Sequence, residues 1–265
     1  MKRSLLILLA LFTLALQSCV FRPSIDEQGN ITVRTANKLM RSHGARQFEK
    51  MKRDKAISTD PRYTEPVARV AERLKEVITL PHAEWEFVVF KDLSPNAFAL
   101  PGGKVGVNTG LFQIIGDDYR ADAILAAILG HEISHTTAAH AQQRILHAMA
   151  LIAAGQLLWF SLDTNDIDHP EYALAGFALT GYLADALPFS RKQEYESDKM
   201  GAIYMAQAGY DPRASIELWK RLRDYHRING GQHPEFLRTH PHDDSRIEAL
   251  EAFMPVALRF YQSSK

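Results

Sequence analysis

The sequence predicts an α+β protein that is predominantly helical and has a small antiparallel β-sheet or hairpin. Apolar residues recur with a helical period in four segments, which are residues 66–80, 198–208, 212–226 and 243–253. Two short stretches rich in aromatic and β-branched residues, 85–90 and 104–108, are typical of strands. Neither internal repeats nor low-complexity linkers interrupt the chain, so we expect one main domain.

The first 18 of the 265 residues are typical of a signal peptide. A short basic start precedes an apolar stretch over residues 4–16, which is too short for a membrane span of about 20 residues. Cys19, the one cysteine in the chain, follows a small residue directly, and this order resembles a bacterial lipoprotein signal. We therefore expect a lipidated Cys19 that attaches the protein to a membrane; a plain signal peptide with an incidental cysteine is the alternative. Val20 resembles the pattern that sorts lipoproteins to the outer membrane, so the expected location is the periplasmic face of that membrane.

The composition excludes some classes of partner. Basic and acidic residues number 31 each, so the chain lacks the basic excess that favours nucleic acid binding. A single cysteine excludes an intrachain disulfide. Residues 19–60 are expected to form a tether and an N-terminal helix, which leaves residues 61–265 for the main domain.

The main domain is expected to begin with a helix over residues 66–80 that a proline ends. The two predicted strands follow on either side of a Pro-Gly-Gly turn at residues 101–103, and they could pair as an antiparallel hairpin. Asp117 or Asp118 can cap the next helix, which runs into residues 131–135.

Residues 131–135 read His-Glu-Ile-Ser-His and predict a metal site. On a helix, residues four apart lie on the same face, so His131 and His135 can offer two imidazole nitrogens to one zinc ion. Glu132 would lie beside the open position of the metal, where a carboxylate can take a proton from water that attacks a peptide carbonyl.

A catalytic zinc site needs a third protein ligand. One class of zinc peptidases would require a glycine and a histidine where this chain has Ala138 and Ala141, so that class is excluded. His140 lies about 140° around a continuing helix from His135 and is expected to be a helix-surface or packing residue. The other class takes a glutamate from a second helix, and Glu194 is the candidate.

Glu194 and Asp198 are four residues apart and share a helix face. Glu194 can bind zinc while Asp198 accepts the Nδ1–H of a ligand histidine, most simply His131. Glu196 is expected to face away from both. A charged, solvated start of a helix would explain the same composition.

Four motif blocks together resemble a known family. They are Asn96–Ala99 with Pro101–Gly103 and the strand to Leu111; residues 131–135; Ser190 and Arg191 with Glu194 and Asp198; and Thr239–Pro241 with Arg246. In this order they are similar to the heat-shock protease HtpX, the CAAX prenyl protease and their soluble bacterial lipoprotein relatives. These are gluzincin zinc metallopeptidases, and the resemblance implies a zincin-like fold and a zinc metallopeptidase domain over residues 61–265.

The resemblance also implies roles. His131, His135 and Glu194 would bind one zinc ion per chain, with Glu132 as general base and proton donor. His240 would stabilise the oxyanion or occupy the open zinc position in a latent state, and a structural His-Pro loop is the alternative.

In the third block Ser197 stands where the family usually has alanine, a change that should not disturb the ligand. Arg246 is expected to be an ion-pair partner rather than a catalytic group.

We expect residues 99–110 to form an active-site edge strand, because an edge strand can pair with an extended polypeptide. The candidate substrate-binding residues are Asn96, Phe98, Ala99, Pro101, Gly102 and Gly103. A buried hairpin without a substrate role is the alternative. The apolar stretches 145–162 and 173–189 are expected to pack over the active site as a lid, with shallow membrane contact as the second choice.

The predicted function is that of a zinc-dependent endopeptidase. We expect it to be anchored in the envelope and to cleave unfolded or misassembled proteins as quality control. The alternative is a latent protease that serves mainly as a chaperone-like partner in outer-membrane assembly. A purely structural zinc site is disfavoured, because it would have no use for Glu132 beside an open position.

Overall fold

The computed structural model describes residues 23–163, 170–181, 187–229, 235–240 and 244–264. The predicted signal peptide and Cys19 lie outside these residues. The described chain divides into two compact units. One contains residues 24–140 and the chain from residue 194 onward, and the other contains residues 141–193. The domain boundary expected at residue 60 stays a prediction.

Ten α-helices are described. They are α1 (Lys38–Asp54), α2 (Pro61–Val77), α3 (Phe112–Ile115), α4 (Ala121–Thr137), α5 (His140–Asp163), α6 (Pro170–Gly181), α7 (Leu187–Gln207), α8 (Ala214–Ile228), α9 (Glu235–Thr239) and α10 (Asp244–Ser263). A 3₁₀ turn, Thr109–Leu111, precedes α3. The small sheet has three strands, β1 (Glu86–Phe90), β2 (Ala97–Leu100) and β3 (Lys104–Asn108). The predicted α+β class, predominantly helical with a small sheet, is confirmed.

Local signals explain where the first helices begin. Asn37 caps α1, where its side chain accepts a hydrogen bond from the backbone N–H of Met40 at 2.9 Å. Asp60 caps α2 in the same way, and Pro61 occupies the first helical position, where its missing N–H costs nothing. Helix α2 therefore begins five residues before the position expected from apolar periodicity alone.

The sheet differs from the predicted hairpin. Its strand order is β1-β3-β2, with β1 parallel to β3 and β2 antiparallel to β3. The segment between β1 and β3 contains a strand of its own, β2, and this strand takes the antiparallel position. Strand β3 is therefore central and all five of its residues are buried, so the expectation that residues 99–110 form one edge strand is wrong for residues 104–108.

Helix α4 lies at the centre of the larger unit. It packs against α2, α8 and β2, and all of residues 124–137 are buried. Residues on every side of α4 are buried, which is the pattern of a core helix rather than a surface helix. The 131–135 motif therefore lies in the interior of the unit.

The first predicted apolar stretch forms most of α5. Within the described parts of the chain, residues 140–162 are the one helical segment long and apolar enough to cross a bilayer, and 17% of its 18-residue apolar window is buried. The second stretch falls on α6 and the start of α7, with residues 182–186 outside the described residues. The expected lid stays a prediction.

Candidate metal centre

Two glycines let α4 and α7 approach closely. A Cβ atom on Gly201 would lie 2.8 Å from the backbone N of His131, and one on Gly130 would lie 3.0 Å from the carbonyl oxygen of Gly201. Only residues without side chains fit this crossing. The crossing brings the histidine motif of α4 beside the acidic face of α7.

Three predicted ligands converge at this crossing. His131 Nε2 lies 3.2 Å from His135 Nε2 and 3.3 Å from Glu194 Oε2. His135 Nε2 lies 3.4 Å from Glu194 Oε1. All three side chains are buried. The structure thus brings together the i, i+4 histidine pair and the glutamate of the second helix.

His240, which follows α9, completes a group of four. Its Nδ1 lies 2.9 Å from Glu194 Oε2 and 3.2 Å from His131 Nε2. One donor atom from each of His131, His135, Glu194 and His240 falls within 4.8 Å of the others. These four side chains can therefore bind a single metal ion.

The donor set fits zinc. Imidazole nitrogens and carboxylate oxygens bind zinc at about 2.0–2.2 Å in a tetrahedron, which separates neighbouring donors by about 3.3 Å. The spacings of 3.2, 3.2, 3.3 and 3.4 Å that involve the Nε2 atoms of His131 and His135 are close to this value, with Glu194 facing His131 through Oε2 and His135 through Oε1.

Burial and charge set the protonation of the cluster. Burial lowers the pKa of His135 well below its usual value, which keeps that ring neutral with a lone pair for a metal. Burial alone would raise the pKa of Glu194, but His240 and His135 outweigh it and hold the pKa well below its usual value. Burial likewise opposes the charge on His240, yet Glu132 and Glu194 raise its pKa to about 10.

Glu132 lies beside the cluster without being one of its four donors. It is 2% exposed, and its Oε1 is 3.1 Å from His240 Nε2. The contact is an ion pair, and Oε1 has no hydrogen-bond partner among the described residues. A buried carboxylate oxygen with accepting capacity is suited to proton transfer.

A carboxylate contacts the ring nitrogen of His131 that does not face the other donors. That nitrogen, Nδ1, lies 3.0 Å from Asp198 Oδ1. Arg246 donates two hydrogen bonds of 2.8 Å to the two oxygens of Asp198, and its guanidinium lies 3.9 Å from the ring centroid of Trp219. The prediction that Arg246 is an ion-pair partner is confirmed.

His140 is a packing residue, which is one of the two roles expected for it. It is fully buried, because α4 ends at Thr137 and Ala139 takes a positive φ of 54° that redirects the chain. Its Nδ1 lies 2.9 Å from His135 Nδ1. Glu196, which the sequence predicts to face away from Glu194 and Asp198, is 5% exposed, and its Oε2 lies 2.8 Å from His140 Nε2. The i, i+2 spacing to Glu194 gave no signal of this contact.

The predicted substrate-binding residues separate into two groups. Strand β2, which contains Phe98 and Ala99, packs against α4, and Asn96 just before it is buried. The turn of Pro101, Gly102 and Gly103 instead contacts α1 and Trp85: a Cβ on Gly44 would meet the carbonyl oxygen of Pro101, and one on Gly103 would meet Trp85. The contacts of that turn are with these elements rather than with the four metal donors.

Comparisons with known proteins agree with the geometry. The sequence model of peptidase family M48 matches residues 61–254. The mitochondrial metalloendopeptidase OMA1 of Schizosaccharomyces pombe is 37% identical over 193 residues, which is 72% of this chain and 53% of that protein. Human OMA1 is 29% identical over 221 residues, 80% of this chain and 41% of that protein. The beta-barrel assembly-enhancing protease of Yersinia pestis is 30% identical over 198 residues, which is 71% of this chain and 38% of that protein.

This chain therefore spans about half the length, or less, of these curated relatives. The predicted cofactor, one zinc ion per chain, is confirmed by the family match together with the four converging donors. The predicted outer-membrane location is wrong. The OMA1 relatives are mitochondrial by name, and they include the one that is 37% identical to this chain. A basic start followed by an apolar stretch does not specify one membrane.

Proposed function

Because the chain belongs to peptidase family M48, as its motif blocks predicted, we propose that it is a zinc metalloendopeptidase. The observation that carries the proposal is the convergence of His131, His135 and Glu194 at the spacing of a zinc tetrahedron. We assign these three side chains as the permanent ligands. Zinc bound there supplies a Lewis acid that polarises the peptide carbonyl and makes water acidic.

We assign Glu132 as the general base and then the proton donor. Its buried carboxylate lies beside the cluster, 3.1 Å from His240 Nε2, where it can accept a proton from the attacking water. The same carboxyl group then returns that proton to the amine that leaves when the peptide bond breaks. A carboxylate held in the dry interior performs both transfers without rearranging solvent.

His240 has two candidate roles, and the contacts favour one for the conformation described. Its Nδ1 lies 3.2 Å from His131 Nε2 and 2.9 Å from Glu194 Oε2, so it could be the fourth donor to the metal. A zinc ion held by all four side chains would have no position for the water that catalysis needs, and the enzyme would then be latent. Rotation of His240 away from the ligands would free the position and leave its imidazole available to stabilise the oxyanion.

We propose that the substrate is an extended polypeptide that pairs with β2. Asn108 donates a backbone hydrogen bond to the carbonyl of Asn96, which makes these two residues a hydrogen-bonded pair. Such pairs alternate along an antiparallel ladder, so the N–H and C=O groups of Ala97 and Ala99 point away from β3. No other described strand covers that edge. Backbone pairing is largely independent of sequence and suits unfolded or misassembled proteins.

The alternative is a latent protease that acts mainly as a chaperone-like binding partner, and the position of His240 is the observation that favours it. Lipidation of Cys19 is a separate proposal for how the chain reaches a membrane. Replacement of Cys19 by alanine should release the protein from the membrane fraction, and retention there would contradict lipidation as the anchor.

The enzyme proposal is tested with the purified protein and its Glu132→Gln variant, both loaded with zinc and incubated with unfolded casein. We expect cleavage by the wild type, its loss in the variant and its loss after chelation. Equal cleavage by both proteins would contradict the role of Glu132. Zinc binding without cleavage by the wild type would favour the latent alternative.

A further inference from the structure

The two ligand histidines differ in the side chain that contacts Nδ1, the ring nitrogen that faces away from the other metal donors. His131 contacts the carboxylate Asp198 directly, whereas the Nδ1 of His135 lies 2.9 Å from another imidazole nitrogen, His140 Nδ1. The other ring nitrogen of His140, Nε2, lies 2.8 Å from Glu196 Oε2. The three side chains are 7%, 0% and 5% exposed, so water does not compete for these contacts.

The direction of each hydrogen bond follows from the chemistry of the rings. His135 directs Nε2 at the other metal donors, so its single proton resides on Nδ1 and is donated to His140. His140 must accept at Nδ1, and its own proton therefore resides on Nε2. That proton is donated to Glu196, and every atom along the path has one consistent role.

The far end of this path is tied to the N-terminal segment. The backbone N–H of Ser24 donates to Oε1 of Glu196, the oxygen that His140 does not use. Arg34, in the same segment, donates from its backbone N–H to the carbonyl of Thr137 at 2.7 Å, at the end of α4. Glu196 is therefore fixed on both of its oxygens.

We propose that His140 and Glu196 are positioning residues that orient His135 toward the metal and fix its tautomer. The inference rests on the proposed zinc site and extends it by two residues. A ligand histidine with a partner on its second nitrogen is more basic and loses less rotational freedom when it binds a metal. Here the neutral His140 lies between Glu196 and His135, and it transmits the effect of a carboxylate that does not contact the His135 ring.

Ser197 is the competing partner for His140. Its Oγ lies 3.3 Å from His140 Nδ1, compared with 2.9 Å for His135 Nδ1. The shorter contact assigns the lone pair of His140 to the ligand histidine.

The test compares zinc dissociation constants by chelator competition in the wild type, His140→Ala and Glu196→Gln. We expect an increase of about 10- to 100-fold for His140→Ala and a smaller increase for the isosteric Glu196→Gln. The cobalt-substituted proteins report the geometry of the ligands, and the visible absorption bands of both variants should shift from those of the wild type. His140→Asn places an amide oxygen near the position of Nδ1 and should recover part of the affinity.

Tyr204→Phe is the matched control. The hydroxyl of Tyr204, on α7, donates to Thr137 Oγ1, on α4, at 3.1 Å. This buried hydrogen bond joins the two helices that contain His135 and Glu196 but does not involve a metal ligand. We expect its zinc affinity and cobalt spectrum to match those of the wild type. Wild-type affinity and spectra in folded His140→Ala and Glu196→Gln would overturn this inference alone. A wild-type protein that binds no zinc would overturn the proposed function as well.

Discussion

The side chains that contact Nδ1 of His131 and of His135 orient these two ligand histidines in different ways. His131 meets a charged carboxylate that Arg246 clamps through two hydrogen bonds, and its partner Asp198 is directly in contact with the ring. His135 meets a neutral ring, and its carboxylate, Glu196, lies one residue further away. Both arrangements fix a proton on Nδ1 and leave Nε2 for the metal.

The electrostatic consequences of the two arrangements are opposite. Burial lowers the pKa of both rings, but the hydrogen bonds that His131 donates to Asp198 and Glu194 more than compensate, and its pKa is raised. At His135 burial dominates and its pKa is lowered well below the usual value. A charged partner at contact distance therefore favours the imidazolium, whereas a neutral intermediary transmits orientation without that charge.

Replacement of Asp198 by asparagine should have the largest effect, because it breaks the charged arrangement. The variant leaves Arg246 buried beside a neutral amide, and a buried charge that loses its partner costs about 3–5 kcal/mol. We expect a lower free energy of unfolding by about 3 kcal/mol, since Glu194 Oε2 still lies 3.3 Å from Arg246, together with weaker zinc binding. Urea unfolding of the metal-free protein measures the first effect.

The double variant Asp198→Asn with Arg246→Met separates charge from orientation. Removal of both charges should recover much of the lost stability, because the uncompensated guanidinium is gone. Zinc affinity should stay low, since His131 still lacks its carboxylate. Stability losses that simply add would contradict the account of Arg246 and Asp198 as one buried pair.

His240 lies between the two arrangements and gives a smaller, pH-dependent effect. Its pKa of about 10 in the folded protein lies above the value of about 6.5 in an unfolded chain, because Glu132 and Glu194 outweigh burial. Its contribution to stability is therefore complete below about pH 6.5 and is lost as the pH rises through about 10.

The measurement is the unfolding temperature of metal-free wild type minus that of metal-free His240→Gln. We expect a positive difference at pH 6, on the order of 2–4 °C, which corresponds to about 1 kcal/mol in a chain of this size. The difference should shrink steadily toward pH 10. A difference that grows with pH would mean that His240 is neutral in the folded metal-free protein.

The sequence predicted the arrangement of His131 better than that of His135, and the reason is geometric. Both i, i+4 pairs, on α4 and α7, depend only on a regular helix, which local periodicity indicates. The role of His140 depends instead on where α4 ends, and Ala139 with its φ of 54° gives no compositional signal of that end. The parallel pairing of β1 with β3 is not predicted for a related reason, since it depends on the four-residue strand β2 pairing with β3, and local periodicity does not specify which strands pair.

The smallest effect is expected at Ser24, where the arrangement behind His135 meets the N-terminal segment. Ser24→Pro removes the N–H that holds Glu196, while Ser24→Ala keeps it and removes only the hydroxyl that accepts from Arg34 Nε at 3.1 Å. Because Ser24 is two steps further from the metal than His140, we expect zinc affinity to fall by less than about tenfold in the proline variant. The alanine variant should bind zinc as the wild type does. Equal affinities in all three proteins, measured by the same chelator competition, would mean that the arrangement behind His135 ends at Glu196.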